Sequence, residues 1–271
     1  MSAALDSGRP PVGALVRTWR RRRRLSQLDL SCACGVSTRH LSFVETGRSR
    51  PGRQLLLRLA EQLDVPPRAR NDLLLAAGYA PQHPEHRLAD APMAPVRQAL
   101  ELLLAAYEPF PALVVDRCWT LVAANRSTGL LTAGAAGHLL EPPVNVLRLS
   151  LHPDGLAPRI TNLAQWRSHL LHRLARDAAA TADPVLARLH EELAALPGGS
   201  DPDAAPEAVV VPLRIRHDGQ ELVFLSTVTT FGTAVDLTAA ELSIETFLPA
   251  DARTAAATSR CAGTSPADPG T

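Results

Sequence analysis

Between Ser26 and Gly47 the chain twice repeats one arrangement: a serine, a short helix-forming run, and a glycine. Ser26 precedes "QLDLSCAC" and Gly35, and Ser37 precedes "TRHLSFVET" and Gly47. A serine hydroxyl can accept a hydrogen bond from an unpaired N–H at a helix start, and glycine takes the left-handed conformation that ends a helix. The spacing therefore predicts two short helices, Gln27 to Cys34 and Thr38 to Thr46, joined by a tight turn. Helices this short are not stable alone, so they must lean on each other and on further helices. Leu30, Val36, Leu41 and Val44 supply the facing apolar surface, and Ser31 is small where the helices would cross. Supporting helices are predicted from Val12 to Arg22, with Leu15, Val16 and Trp19 on one stripe, from Arg53 to Leu63, and from Arg68 to Ala77. The result is an all-α, five-helix domain over residues 11–80.

Charge says what such a domain touches. The net charge of +1 conceals an asymmetry: residues 1–80 hold 14 arginines against six acidic residues, and the rest holds 14 against 21. Five consecutive arginines, Arg20 to Arg24, lie just before the paired helices. A basic block joined to an acidic remainder points to a nucleic acid as the partner of the first part. Two helices around a glycine turn can set the second into the major groove while the first braces it. On that reading Ser37, Thr38, Arg39, His40, Ser42 and Phe43 face outward near the start of the second helix and can meet base edges or phosphates. Gln27 can bond a phosphate, and Arg48 and Arg50 extend the positive surface.

The stretch "LSQLDLSCACGVSTRHLSFVETGRSRP" resembles the phage-repressor-type helix-turn-helix, most specifically in "LSQ", "GVS", "VETG" and the "RP" after the loop. The resemblance covers the five-helix block. It implies that Glu45 does not read bases and pairs with an arginine of the first helix, with Arg20 the candidate. Ser31, where alanine is common, and Cys32 and Cys34 depart from the pattern without threatening the fold.

Residues 81–95 are proline-rich, and the linker is placed at 81–92. A second domain follows over 93–256. Its reading is an apolar helix from Val96 to Tyr107, strand-like runs at 112–116 and 120–125, and a helical middle to about 196. A loop at 197–206 comes next. Two alternating runs at 208–217 and 221–232 meet at an Asp-Gly hairpin turn, and a last strand covers 241–249. Strands, helices, then strands argue for an α+β domain with a small antiparallel sheet. Residues 257–271 read as a disordered tail. Leu113, Val115, Trp119, Leu121, Trp166 and Phe224 either line an apolar cavity between sheet and helices or fill the core. Arg148, Arg159 and Arg167 are candidates for an acidic head group.

Three long phrases, "PFPALVVDRCWTLVAANRS", "PPVNVLRLSLHPDGLAPRITNLAQWRSHLL" and "STVTTFGTAVDLTAAELSIETFLPAD", resemble the ligand-binding domain of MmyB-like transcription regulators. The resemblance implies a PAS-like fold and a small apolar ligand, fatty-acid-like by analogy.

No motif for catalysis stands out: there is no phosphate-binding glycine loop, no G-x-S-x-G elbow and no H-E-x-x-H. His169 and His172 are three apart on one helix but lack further ligands at a matching spacing, so no metal and no cofactor is expected. No apolar run is long enough to cross a bilayer and the start is not a secretory signal, so a cytoplasmic protein is expected. The expectation is a homodimeric regulator of bacterial transcription, with operator DNA and a small apolar ligand as partners. The rival is an enzyme or interaction module tethered to DNA.

Overall fold

A computed structural model describes residues 10–199 and 210–263. The chain forms two compact units, one running to Glu85 together with the segment Val235–Leu237, the other holding the remainder.

In the first unit the expected helices are α1 (Val12–Arg22), α2 (Gln27–Ala33), α3 (Thr38–Glu45), α4 (Arg53–Gln62) and α5 (Pro67–Ala76). Ser26 caps α2 through a reciprocal pair of bonds with Asp29, and the Ser37 hydroxyl accepts from the His40 N–H at 3.1 Å to cap α3. Gly35 and Gly47 both take positive φ, at 64° and 76°, as the turns after α2 and α3 require. Val16, Leu30, Leu41, Val44, Leu56, Leu59, Leu63, Leu73 and Leu74 fill the core with almost no exposure. Gly13 brings α1 onto α3 backbone to backbone. A Cβ there would lie 2.3 Å from the Val44 carbonyl oxygen and 2.8 Å from that of Glu45, atoms that cannot swing aside. Gly13→Ala is therefore expected to destabilise this unit by about 1–3 kcal/mol in a thermal melt, although alanine is the better helix former.

The first half of the expected 81–92 linker is not a free tether. Asn71, buried on α5, accepts the Gln82 and His83 N–H groups on Oδ1 at 2.9 and 3.1 Å and donates to the His83 carbonyl at 2.7 Å. Arg68 pairs with Glu85 at 2.7 Å. The second half folds back on the other unit: Arg97 donates to the carbonyls of Leu88 and Asp90, and Met93 is buried. An amide that satisfies three backbone groups turns a proline-rich segment into an ordered strap.

The second unit opens with α6 (Ala94–Ala106), then β1 (Ala112–Val115) and β2 (Leu121–Ala124). Next come α7 (Gly129–Thr132), α8 (Val146–Leu151), α9 (Leu163–Thr181) and α10 (Pro184–Ala194). β3 (Leu213–His217), β4 (Gln220–Thr230), α11 (Leu237–Ala240), β5 (Ser243–Pro249) and α12 (Ala252–Gly263) complete it. The five strands form one antiparallel sheet in the order β2-β1-β5-β4-β3. β1 is an unbroken apolar run because both its faces are covered. Leu113 and Val115 join the main core with α8–α10, while Ala112 and Val114 pack with Leu100 and Leu104 of α6. The Asp218-Gly219 turn has both φ values positive, as a two-residue hairpin needs.

Two expectations are corrected. The strand expected from 208 starts only at Leu213: Pro212 has no N–H for a ladder, and its carbonyl accepts from Asn162. Residues 208 and 209 lie outside the described residues, as does most of the expected 197–206 loop. The expected disordered tail, from 257, is helical as far as Gly263. Asp251 accepts the Thr254 N–H at 2.7 Å, the Thr254 hydroxyl accepts the Val223 N–H at 3.0 Å, and Ala257 joins the main core. Residues 264–271 lie outside the described residues.

Candidate DNA-binding face and ligand cavity

The back of α3 is held by one carboxylate. Glu45, at its last turn, has a fully buried side chain. Arg20 of α1 grips it with two donors, at 2.6 and 2.9 Å, and Gln27 of α2 donates at 2.8 Å. Arg17 donates to the Glu45 main-chain carbonyl at 3.0 Å. Burial works to raise the Glu45 pKa, but the hydrogen bonds from Arg20 and Gln27 and the charges of Arg20 and Arg17 outweigh it, and the carboxyl sits below its ordinary value. One side chain thus ties α1, α2 and α3 together, and the Arg20 pairing is as the resemblance implied.

This network and the caps decide which expected DNA-binding side chains are available. Arg39 and Arg48 are exposed and flank the half-buried Phe43, their guanidinium carbons 5.4 and 5.9 Å from its ring centroid. His40 and Ser42 are half-buried on the same helix. Ser37 is exposed and accepts one bond in the α3 cap, which leaves its O–H able to donate. Thr38 turns toward α2, its hydroxyl 2.9 Å from that of Ser31 at the helix crossing, so it is not an outward residue. Gln27 supports Glu45. Arg50 stays exposed, but its guanidinium is engaged by protein: it donates to the Ala77 carbonyl at the end of α5 and lies over Tyr79. Of the arginine run, Arg20 and Arg23 turn to protein partners, Arg23 to the carbonyls of Leu63 and Asp64, while Arg21, Arg22 and Arg24 are exposed. Of the two leucines that the sequence offers as apolar positions of α2, Leu30 is buried and Leu28 is 60% exposed.

In the second unit an apolar cavity of about 60 Å³ opens between the sheet and α7–α9. Three of the expected residues line it: Leu113, Leu121 and Trp166. Val115, Trp119 and Phe224 pack in the core around it instead. The arginines expected to hold an acidic head group are elsewhere. Arg148 pairs with Glu192 at 2.6 and 2.8 Å, Arg159 donates to the carbonyls of Leu130, Leu131, Ala133 and Arg216, and Arg167 donates to those of Ala194 and Gly199. Each satisfies backbone or a surface carboxylate.

The charged side chain that does line the cavity is Glu245 of β5. It is almost wholly buried and bonded to Arg173 of α9 at 2.6 Å. Arg173 stacks on Trp119 at 4.3 Å from the ring centroid. Burial pushes the Glu245 pKa up, against the pull of the Arg173 charge and hydrogen bond. Trp119 holds a positive φ of 64°, a strained conformation for a bulky residue, within a turn whose N–H groups Asp116 accepts. Ser150, Thr128 and Thr132 are the other polar lining residues, and the Ser150 hydroxyl accepts from the Trp166 indole N–H.

One group could present three ligand atoms to a cation: His138, His152 and Asp154, whose ligand atoms lie within 4.8 Å of one another. His152 Nδ1 already accepts the Asp154 N–H at 3.0 Å, a local turn bond. His169 stacks on Trp166 and is half-buried, with its pKa lowered by burial and nearby arginines. Among the described residues no helix is long and apolar enough to cross a membrane.

Comparisons with known proteins agree with this division. Residues 11–73 match the helix-turn-helix domain model. HTH-type transcriptional regulators of Mycobacterium tuberculosis and Mycobacterium bovis, both uncharacterized, are 38% identical to this chain over 69 residues. That match spans 26% of this chain and 27% of each relative. Residues 96–260, more than half the chain, match the ligand-binding domain model of MmyB-like transcription regulators. With a helix-turn-helix ahead of that domain, the chain belongs to the MmyB-like transcription regulators.

Proposed function

We propose that this regulator reads operator DNA with α3 in the major groove and that a small apolar molecule in the sheet–helix cavity shifts its DNA affinity. The observation that carries the reading is the division of labour on α3. Its back is clamped through Glu45, while Arg39, Arg48, His40 and Ser42 stay on the outer side with Phe43 between the two arginines. Rigid support behind and hydrogen-bonding side chains in front is what base readout requires. One such helix covers only a few base pairs, so a homodimer on a two-fold operator fits the reading.

Ligand action follows as a population shift: the ligand favours one arrangement of the two DNA heads, and a coupling of about 1–3 kcal/mol changes operator affinity by roughly 5- to 150-fold. The same factor must appear in ligand affinity when operator is added. The Asn71 bonds order residues 82 and 83 within the first unit, so the stretch that such coupling must cross begins beyond them. A cavity of about 60 Å³ favours a short ligand over a long acyl chain.

The test is DNA binding by the full chain. Affinity should fall steeply with salt, each neutralised phosphate adding roughly −0.9 to the log–log slope. Arg39→Ala is expected to cost about 1–3 kcal/mol on the selected operator and to relax one base position. Gln27→Ala should weaken binding evenly across sequences. Salt-independent binding, or equal losses on all DNA for both variants, would sink the reading.

A further inference from the structure

The cavity's lining is apolar except for Thr128, Thr132, Ser150 and Glu245, and no basic side chain is among its walls. Glu245 reaches that wall from the middle of β5, on the face it shares with Phe247, which also lines the cavity. Its Arg173 partner approaches from α9, one nitrogen on Oε1 and its plane against Trp119. An ionised carboxylate offers about four lone-pair positions, and this bond occupies one. The pair is therefore neutral as a unit but still able to accept.

A ligand carboxylate would set a second anion beside Glu245 in a low-dielectric pocket, with Arg148, Arg159 and Arg167 all committed elsewhere. An ammonium would leave the pocket with an unmatched positive charge once Arg173 is counted. A neutral donor adds no charge.

Resting on the reading that this cavity holds the effector, we infer that the effector is a small neutral molecule with an apolar body and one hydrogen-bond donor, an alcohol in the simplest case, and that Glu245 accepts that donor. Glu245 is then the specificity-determining residue of the pocket. Arg173 and Trp119 position it. A site built to accept a donor rejects an analogue that lacks one, because its buried acceptor is left unmatched. The fatty-acid analogy drawn from the sequence points to the opposite head group.

Three six-carbon probes separate the possibilities: hexan-1-ol, hexanoate and 1-methoxypentane. Each is titrated into the full-length protein and followed by tryptophan fluorescence, since Trp166 lines the cavity. Hexan-1-ol is expected to bind at least about tenfold tighter than hexanoate and than the ether, the scale of one hydrogen bond to a charged acceptor. Glu245→Gln should bring the alcohol-over-carboxylate preference down to about threefold or less. If that variant does not fold, the wild-type ranking still decides. Leu121→Trp, at a half-buried lining position, should abolish alcohol binding. Hexanoate binding as tightly as the alcohol, or the ether matching it, overturns the donor inference while leaving the cavity as the ligand site. No binding by any probe, or unchanged binding by Leu121→Trp, overturns the cavity reading and the inference together.

Discussion

Replacing Glu45 with alanine is expected to remove about 3–5 kcal/mol from the stability of the five-helix unit. The carboxylate is buried, and its removal strands the Arg20 guanidinium, which is itself only 11% exposed, with the Leu25 carbonyl as its remaining acceptor. Gln27 loses its acceptor at the same time. The loss should appear in hydrogen exchange of the α1–α3 amides while the sheet of the second unit keeps its protection. Acid should imitate the mutation. Because the Glu45 pKa is lower folded than unfolded, its contribution is complete above the ordinary glutamate value of about 4.3 and is lost as pH falls through the folded pKa. Glu45→Gln should flatten that part of the pH–stability curve. An unchanged exchange pattern in Glu45→Ala would mean that the three helices are held by their apolar contacts alone.

Phe224→Ala is expected to cost the second unit about 3–5 kcal/mol. The ring is completely buried at the middle of the core, opposite Leu213 in the β3–β4 ladder. Phe224 is not among the residues that line the cavity, although Leu213 opposite it is, and this makes the experiment informative. At a temperature where the variant remains folded, probe affinity should change by less than about threefold, an ordinary tolerance for a residue without ligand contact. A large loss of affinity with little loss of stability would place Phe224 in the binding site, where the sequence had also allowed it to lie.

The five helices were legible because serine caps, glycine stops and apolar spacing are local signals, and α1–α5 fall within a few residues of them. What side chains do with their polarity was not. Arg50, Gln27 and Thr38 carry groups equally suited to phosphate and to protein, and it is the Ala77 carbonyl, Glu45 and Ser31 that claim them. Arg148 looked free for an acidic ligand because Glu192, 44 residues away, leaves no mark in the local pattern. Glu245 was missed for a related reason. Alternation along "SIETF" sets it on the face of Phe247, but its partner Arg173 is 72 positions earlier, so nothing nearby announces a buried pair. The helix at 252–263 was hidden by alanine and threonine, whose small side chains draw no hydrophobic stripe although Thr254 and Thr258 are fully buried.

The backbone contact at Gly13 has a consequence for how such a regulator can change over generations. The seat of α3 is set by main-chain atoms of Val44 and Glu45 against a residue with no side chain. Arg39 and Arg48 take no part in that seat. On the proposed reading, substitutions at these surface positions would retarget the protein to a new operator without retuning its docking geometry, whereas a single methyl group at position 13 would disturb every operator at once. Within one small unit, evolvability and invariance are assigned to different atoms.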